Sequence, residues 1–331
     1  MAAQDWSDQA RLERARRIGQ RLVERFNLEP PVAIEQLIAH YADVQEDTIP
    51  GDCDAVVVGL TSITISRPLV ILERGRPPRR KRFSLAHELG HILIPGHLGI
   101  EVCNMEASYY SSSVEEREAH AFASEVLVPT RWLRELIRAS RSPSDVLAAA
   151  QQADISAAAA CLAIHRLFPP GCLIALMNGP DVELSLASPG TEANRPAQGR
   201  PLDERAVSRF AVESGTGWFN RRAVRWWLFE READLPVVPD ERTASEILRE
   251  IVAEVYPDDA RARQHALSSI NGIAGFAKGG FTGVETAGQM FARLRARFSD
   301  RGKHEKVMDD PRFDQYLVRK AEELAESQDD G

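Results

Sequence analysis

The feature that most constrains the fold is an apolar helix that carries two histidines and a glutamate. Residues from about 83 to 93 read FSLAHELGHIL, with helical spacing and apolar side chains on nearly every side. His87, Glu88 and His91 form the pattern HExxH within it. A buried helix must find partners for such polar groups, and one metal ion would satisfy them together. The alternative, a surface helix with incidental histidines, conflicts with the apolar flanks.

The spacing of the two histidines suits a metal site. Residues four apart project from the same side of a helix, one turn apart, so His87 and His91 can bind a single ion. Glu88 follows His87 directly and can reach a water molecule at that ion as a general base. A catalytic zinc site needs three protein ligands and one open position, so a third ligand is expected from another helix.

The third ligand is expected on the helix predicted over residues 114–127. Glu116 is the best candidate because small alanines follow it on the same side and allow close approach to the HExxH helix. Glu115 and Glu118 remain alternatives, and each points to a different side. Any of these carboxylates can instead be a solvated first-turn residue that the helix dipole favours.

Two long segments, RRKRFSLAHELGHILI and EREAHAFASEVLVP, resemble the two motif helices of the ImmA/IrrE family of metallopeptidases. The likeness covers residues from about 10 to 170. It implies that His87, His91 and Glu116 are zinc ligands and that Glu88 is the catalytic base, although Mn²⁺ or Fe²⁺ can occupy similar ligands. It also implies a protein substrate, typically a helix-turn-helix repressor whose cleavage releases genes for a DNA-damage response or mobile-element transfer.

One position departs from the family pattern. The family usually has Asn or Asp where this chain has His120, one turn beyond Glu116. In related zinc peptidases a carboxylate at this spacing orients a ligand imidazole, so His120 is expected either to make such a hydrogen bond or to compete as a ligand. Between the two motifs, Tyr109 and Tyr110 are candidate donors to the oxyanion, or else simply pack in a loop. The other histidines have no partner at ligand spacing and are interpreted as structural or exposed: His40, His97, His165, His265 and His304.

The chain is long enough for two ordinary domains. It has 331 residues, 44% of them hydrophobic, so it can bury a sizeable core without disulfides. The Pro-Pro-Gly run at 169–171 separates a peptidase domain at 1–170, with a helical extension at 131–168, from a C-terminal domain at 171–331. By analogy alone, the second domain has a sensory or interaction role. The predicted fold class is α+β: a mainly helical zincin-like domain with a small β-sheet, a helical linker region, and a mixed α/β, helix-rich C-terminal domain.

Apolar periodicity and the placement of Gly and Pro predict the other elements of the first domain. Helices are expected at 8–26 and 32–41, and strands at 53–60 and 68–73. A basic loop, RGRPPRRKR, is expected before the HExxH helix.

The second domain is expected to begin with the hairpin CLIALM-NG-PDVELSLAS and a linker at 188–204. Its aromatic residues near 218–229 form either an interaction surface or a helix that buries them, and the helix is favoured. A glycine-rich segment at 271–288 lacks the spacing of a phosphate-binding loop. Further helices are expected near 241–256, 259–271, 285–298 and 311–327.

The charge and hydropathy of the sequence argue against nucleic acid and membranes as partners. The net charge is −8, so the molecule is not built to coat nucleic acid or an anionic membrane, and no direct nucleic-acid contact is expected. The basic run at 74–82 either recruits an acidic stretch of the protein substrate, or contacts DNA phosphates, or is a solvated loop, and the last interpretation is favoured. The four cysteines form no CxxC pair and suit a reducing compartment. Without a signal-peptide core or about 18 uninterrupted apolar residues, the sequence predicts a cytoplasmic protein with no membrane partner.

Together these features predict a zinc-dependent endopeptidase that cuts a protein. The expected substrate is a helix-turn-helix repressor in a stress-response or mobile-element switch. The alternative is a non-catalytic, metal-holding partner of antitoxin-like or scaffold type. The intact Glu88 favours the enzyme, since a binding module needs no general base. A DNA-binding regulator is disfavoured by the net charge and by the lack of a helix rich in base-reading side chains.

Overall fold

Helices dominate the structure, and two small sheets complete it. The computed structural model describes residues 2–51, 53–60, 66–97, 113–238, 242–276 and 285–329. The chain divides into two units, Met1–Leu167 with Trp218–Arg221, and Phe168–Gly217 with Arg222–Gly331. The predicted α+β, helix-rich class is confirmed for the described residues.

Four helices of the first unit, three long and one short, come before its C-terminal part. The helix that carries HExxH packs against the helix that carries Glu116, and the Glu116 helix also packs against the N-terminal helix. These four elements are α1 (Ala2–Phe26), α2 (Ile34–Ile38), α3 (Pro78–Leu93) and α4 (Val114–Leu127).

A glycine permits the close approach of α3 and α4. A Cβ atom added to Gly90 would lie 3.1 Å from Phe122 Cδ1 and 3.2 Å from Ala119 Cα. Contacts this short are rare for real side chains, so the two helices lie closer than a larger residue would allow. The HExxH helix and the first turn of α4 are thereby brought together.

A three-stranded sheet supports the HExxH helix. Its strands are β1 (Asp43–Asp47), β2 (Ala55–Val58) and β3 (Leu69–Glu73), in the order β1-β3-β2. The central β3 is parallel to β1 and antiparallel to β2, and helix α3 packs against β2 and β3. The strands at 53–60 and 68–73 were predicted. Strand β1 was not, because its sequence DVQED is exposed at all five positions and carries no apolar alternation.

The predicted basic loop is wrong in its second half, which forms the first turns of α3. Proline suits the start of a helix because its ring fixes a helical φ and its missing N–H has no helical partner, so α3 begins at Pro78. The arginines here are paired with carboxylates, and two of them, Arg76 and Arg80, are largely buried. Arg76 and Arg80 lie 2.5 and 2.8 Å from the buried carboxylate of Asp54, and Arg79 lies 2.8 Å from Asp154. The basic run is thus bound by acidic side chains of its own unit.

The helical pattern predicted at 131–168 forms three separate helices. They are α5 (Thr130–Ala139), α6 (Pro143–Ala150) and α7 (Ala157–Leu167), with a 3₁₀ turn at Gln151–Ala153. Asp154 follows that turn in the left-handed conformation, with φ 51°. The chain reverses there because a left-handed residue ends the helical hydrogen bonding.

The second unit combines a four-stranded sheet with helices. The order of its strands is β5-β4-β7-β6. The hairpin predicted from CLIALM-NG-PDVELSLAS is confirmed, with a register shift between Leu176 and Met177. The strands are β4 (Cys172–Asn178), β5 (Asp181–Ala187), β6 (Glu213–Phe219) and β7 (Arg222–Leu228). The helices are α8 (Glu204–Ser208), α9 (Ala244–Val255), α10 (Ala260–Phe276), α11 (Ala287–Phe298), α12 (Glu305–Met308) and α13 (Arg312–Asp329).

The helix predicted for the aromatic residues near 218–229 is wrong, because these residues belong to β6, β7 and the turn that joins them. Asn220 and Arg221 have φ values of 49° and 63°, and positive φ at two successive residues characterises the type I′ turn of a β-hairpin. Val224, Trp226 and Trp227 are buried in β7, so its two successive tryptophans are covered on both faces of the strand and the two-residue period is broken there. The sequence therefore carries no clean strand period at this point.

Two segments of the second unit were predicted as loops, a linker at 188–204 and the glycine-rich segment at 271–288. Residues 188–203 contain neither a helix nor an extended strand, as a linker would. They are nonetheless packed, since Asn194 Nδ2 donates to the carbonyls of Arg297 and Ser299 at 2.6 and 2.7 Å. The central part of the glycine-rich segment, residues 277–284, lies outside the described residues. No helix in the described ranges is both long and apolar enough to cross a membrane.

Candidate metal centre

The two histidines of HExxH and one glutamate of α4 converge on a single point. His87 Nε2 lies 3.1 Å from Glu116 Oε2, and His91 Nε2 lies 3.2 Å from Glu116 Oε1. The two Nε2 atoms are 3.0 Å apart. All three side chains are buried, and their donor atoms lie within 4.8 Å of one another. This group can hold a metal ion.

The electrostatics of the group suit a divalent cation. Burial raises the pKa of Glu116, but the hydrogen bonds and charges of His87 and His91 outweigh burial and hold that pKa well below its usual range. Glu116 is therefore ionised at neutral pH. One carboxylate and two imidazoles are a donor set that Zn²⁺ takes in catalytic sites, so the residues present fit this ion.

Glu88 is adjacent to this group without being part of it. Its side chain is 0% exposed, and it lies on α3 between the two histidines in sequence. The donor atoms that converge come from His87, His91 and Glu116. Among the described residues, Glu88 is therefore not one of the three whose donor atoms converge.

The two alternative glutamates of α4 occupy different surroundings. Glu115 is half-buried and is not among the converging residues. Glu118 is completely buried and accepts hydrogen bonds from Arg11 Nη2 at 2.7 Å and from His97 Nε2 at 3.1 Å. Burial raises the pKa of Glu118, but these two hydrogen bonds outweigh it and leave the pKa lowered.

His120 packs beside the centre. The centroid of its ring is 4.9 Å from that of His87 in an edge-to-face arrangement, and 5.1 Å from that of Phe83. Burial, with the nearby charge of His87, lowers the pKa of His120 to about 3, so its ring is neutral at ordinary pH. The expected donors Tyr109 and Tyr110 lie outside the described residues.

His97 is the functional candidate that the sequence analysis missed. It was grouped with structural or exposed histidines, but its Nδ1 lies 3.0 Å from His91 Nδ1 and its side chain is 1% exposed. Helix α3 ends at Leu93, and Gly96 has a φ of 100°, a conformation that glycine adopts without strain. That reversal returns His97 to the HExxH helix. The Pro95-Gly96 pair was the available signal for it.

Comparison with known proteins identifies the domain that contains this centre. Residues 41–165 match the model of a peptidase family that is described as the IrrE N-terminal-like domain. The match includes β1, β2, β3 and both helices that supply the converging donor atoms. No curated protein matches the chain. Residues 41–165 are therefore similar to the ImmA/IrrE family of metallopeptidases, which confirms the resemblance of the two motif segments.

Proposed function

We propose that the chain is a zinc-dependent endopeptidase in which His87, His91 and Glu116 hold the metal. The observation that carries the proposal is the convergence of three buried donor atoms from α3 and α4 inside a peptidase-family domain. Zinc bound by such ligands polarises a scissile carbonyl and makes a water molecule more acidic, and Mn²⁺ or Fe²⁺ fits a similar donor set.

In this proposal Glu88 is the general base. It would accept a proton from the attacking water and pass it to the nitrogen of the leaving segment. Its complete burial on the motif helix supports this role, because a carboxylate shielded from bulk solvent would pass the proton it accepts to the leaving nitrogen and not lose it to water. Glu116, ionised and buried, would remain a ligand throughout.

The proposed substrate is a helix-turn-helix repressor in a stress-response or mobile-element switch. Similarity to a peptidase family supports a protein substrate, and the repressor is the finer inference from the family resemblance. We assign residues 171–331 to a separate domain with a sensory or interaction role. The second candidate function is a metal-holding partner without turnover, and the presence of Glu88 argues against it.

The test compares the wild type with Glu88→Gln on a helix-turn-helix protein encoded beside this chain. The glutamine has nearly the same size but cannot accept a proton, so cleavage should slow by about 10²–10⁴-fold. Gel electrophoresis measures cleavage, and metal analysis should find equal zinc in both proteins. Equal rates of cleavage would rule out Glu88 as the base. Metal binding by both with cleavage by neither would favour the non-catalytic alternative.

A further inference from the structure

A chain of buried hydrogen bonds leads away from the proposed metal centre. It joins His91, His97, Glu118 and Arg11, and we refer to these four side chains as the His91–Arg11 chain. The distances along it are 3.0 Å from His91 Nδ1 to His97 Nδ1, 3.1 Å from His97 Nε2 to Glu118 Oε2, and 2.7 Å from Arg11 Nη2 to the same oxygen. Its two central side chains are almost fully buried, so water does not supply alternative partners.

The positions of the protons along these hydrogen bonds follow from the carboxylate of Glu118. Glu118 is an anion and only accepts hydrogen bonds, so the nitrogen of His97 that faces it must carry the proton. A neutral imidazole carries a single proton, so the Nδ1 atom of His97, whose side chain is 1% exposed, is then left able only to accept. The facing atom, His91 Nδ1, must then donate. Each hydrogen bond in this arrangement has one donor and one acceptor.

The reverse arrangement is unfavourable. If His97 Nδ1 carried the proton, its unprotonated Nε2 would face the carboxylate of Glu118 across 3.1 Å. Two buried acceptors would then oppose each other without a proton between them, which costs about 1–3 kcal/mol or more. His91 would also be left with its proton on Nε2, the atom that points to Glu116.

We propose that Glu118, through His97, selects the tautomer of His91 whose Nε2 is free to bind a metal ion. His97 and Glu118 are positioning residues, and Arg11 holds the carboxylate in place from its other side. The inference rests on the proposed function because it takes His91 as a metal ligand. It goes beyond that function because it assigns a role to residues outside the motif and its expected ligands.

The His91–Arg11 chain includes one of the two proposed histidine ligands, His91, and does not include His87. His87 Nδ1 has no hydrogen-bond partner among the described residues, and its ring instead packs against that of His120. A change in the His91–Arg11 chain should therefore alter the tautomer of His91 and leave that of His87 unchanged. This asymmetry distinguishes a positioning role from a general loss of packing.

The central experiment compares wild type with Glu118→Gln in the full-length chain. In ¹⁵N-labelled, metal-free protein, NMR should find the proton of His91 on Nδ1 in the wild type and shared between both nitrogens in the variant. Zinc affinity, measured by competition with a chelator, should fall by about 10–100-fold, as is usual for the outer partners of a metal ligand. The matched control is Glu115→Gln on the same helix. Glu115 acts on His97 and Arg11 through its charge alone, so this variant should leave the tautomer of His91 unchanged and reduce zinc affinity far less than Glu118→Gln does.

Further results decide whether Glu118 selects the tautomer of His91. Arg11→Gln keeps the charge of Glu118 and changes a partly exposed side chain, so the variant should fold. Its zinc affinity should fall in the same direction as that of Glu118→Gln, but by less. This variant therefore tests the proposal even if Glu118→Gln folds poorly. An unchanged His91 tautomer in a folded Glu118→Gln variant would overturn the proposal, whether or not its affinity falls. Absence of zinc binding by the wild type would instead contradict the proposed function, and the NMR comparison would still test the tautomer.

Discussion

Gly90 of α3 faces Ala119 of α4 so closely that a methyl group on Gly90 would lie 3.2 Å from the Cα atom of Ala119. Helix α1 also packs closely on α4, where a methyl group on Gly19 would lie 3.3 Å from the carbonyl oxygen of Phe122. Glycines of both neighbouring helices thus limit the positions open to α4, which carries one of the proposed ligands.

Gly90→Ala should therefore destabilise the first unit. Alanine is better than glycine in a helix by about 1 kcal/mol, but overpacking a rigid contact costs about 1–3 kcal/mol, and we expect the second effect to dominate. Zinc retention should weaken as well, because Glu116 would be displaced from the histidines. Urea unfolding and metal analysis measure the two effects.

The control for that substitution is Gly272→Ala. Gly272 lies in α10 with no atom within 4 Å of the added methyl group, so only the helical preference acts and the variant should gain about 0.5–1 kcal/mol. A gain of similar size in Gly90→Ala would show that α4 yields to the methyl group and would contradict the tight packing inferred here.

Loss of either motif histidine should abolish metal binding. His87 and His91 each supply one of the three converging donor atoms, and two remaining ligands form a much weaker site. Metal analysis of purified protein should find about one zinc-like ion per chain in the wild type and almost none in His87→Ala or His91→Ala. Full metal content in His91→Ala would refute the assignment of the site.

The third ligand can be identified by comparing isosteric variants of α4. Glu116→Gln removes the negative charge at 3.1 and 3.2 Å from the two histidines, so zinc affinity should fall by more than the about 100-fold expected of an outer partner. Glu115→Gln should have little effect, and Glu118→Gln an intermediate one. Loss of the metal from Glu118→Gln but not from Glu116→Gln would show that Glu118, and not Glu116, is the third ligand.

A buried histidine of the second unit should make stability depend on pH. His304 is buried with Nε2 at 2.9 Å from Ser269 Oγ, and burial, with the charges of Lys303, His265 and Arg301, lowers its pKa to about 4 from an ordinary value of 6.5. Because the folded pKa lies below the unfolded one, the stability due to neutral His304 is complete above pH 6.5 and is lost as the pH falls towards 4.

The loss between these limits should be of the order of 3 kcal/mol. The measurement is the free energy of unfolding at several pH values for the wild type and for His304→Gln. Carboxylates titrate in both proteins, so the difference between them isolates the histidine. A difference that does not change with pH would mean that His304 is not held neutral by the fold.

The elements of the candidate site follow largely from local rules. The i, i+4 spacing places His87 and His91 on one side of a helix wherever that helix lies, and the bounds of α4 agree with those predicted from its apolar pattern. The approach of Glu116 depended on a long-range contact, for which the alanines of α4 were a clue. The neighbour of Ala119 is Gly90 of the motif itself.

Other features could not be predicted because no local period encodes them. The contact between His97 and His91 depends on the reversal at Gly96 and on a carboxylate from a different helix. In the second unit, β7 was mistaken for a helix because its aromatic residues bury themselves in either structure. Only the positive φ values of Asn220 and Arg221 reveal the hairpin.

Strand β1 forms one edge of the first sheet and presents Asp43, Glu46 and Asp47 at exposed positions. An open strand edge is a template on which a second copy can extend the sheet, and charged side chains along it oppose that pairing. The cations that pair with these carboxylates, Arg67, Lys81 and Arg74, belong to the same unit, so two such edges brought together would align carboxylates whose cationic partners are already engaged. The same acidic composition that hides this strand from an apolar pattern therefore protects the chain against edge-to-edge aggregation.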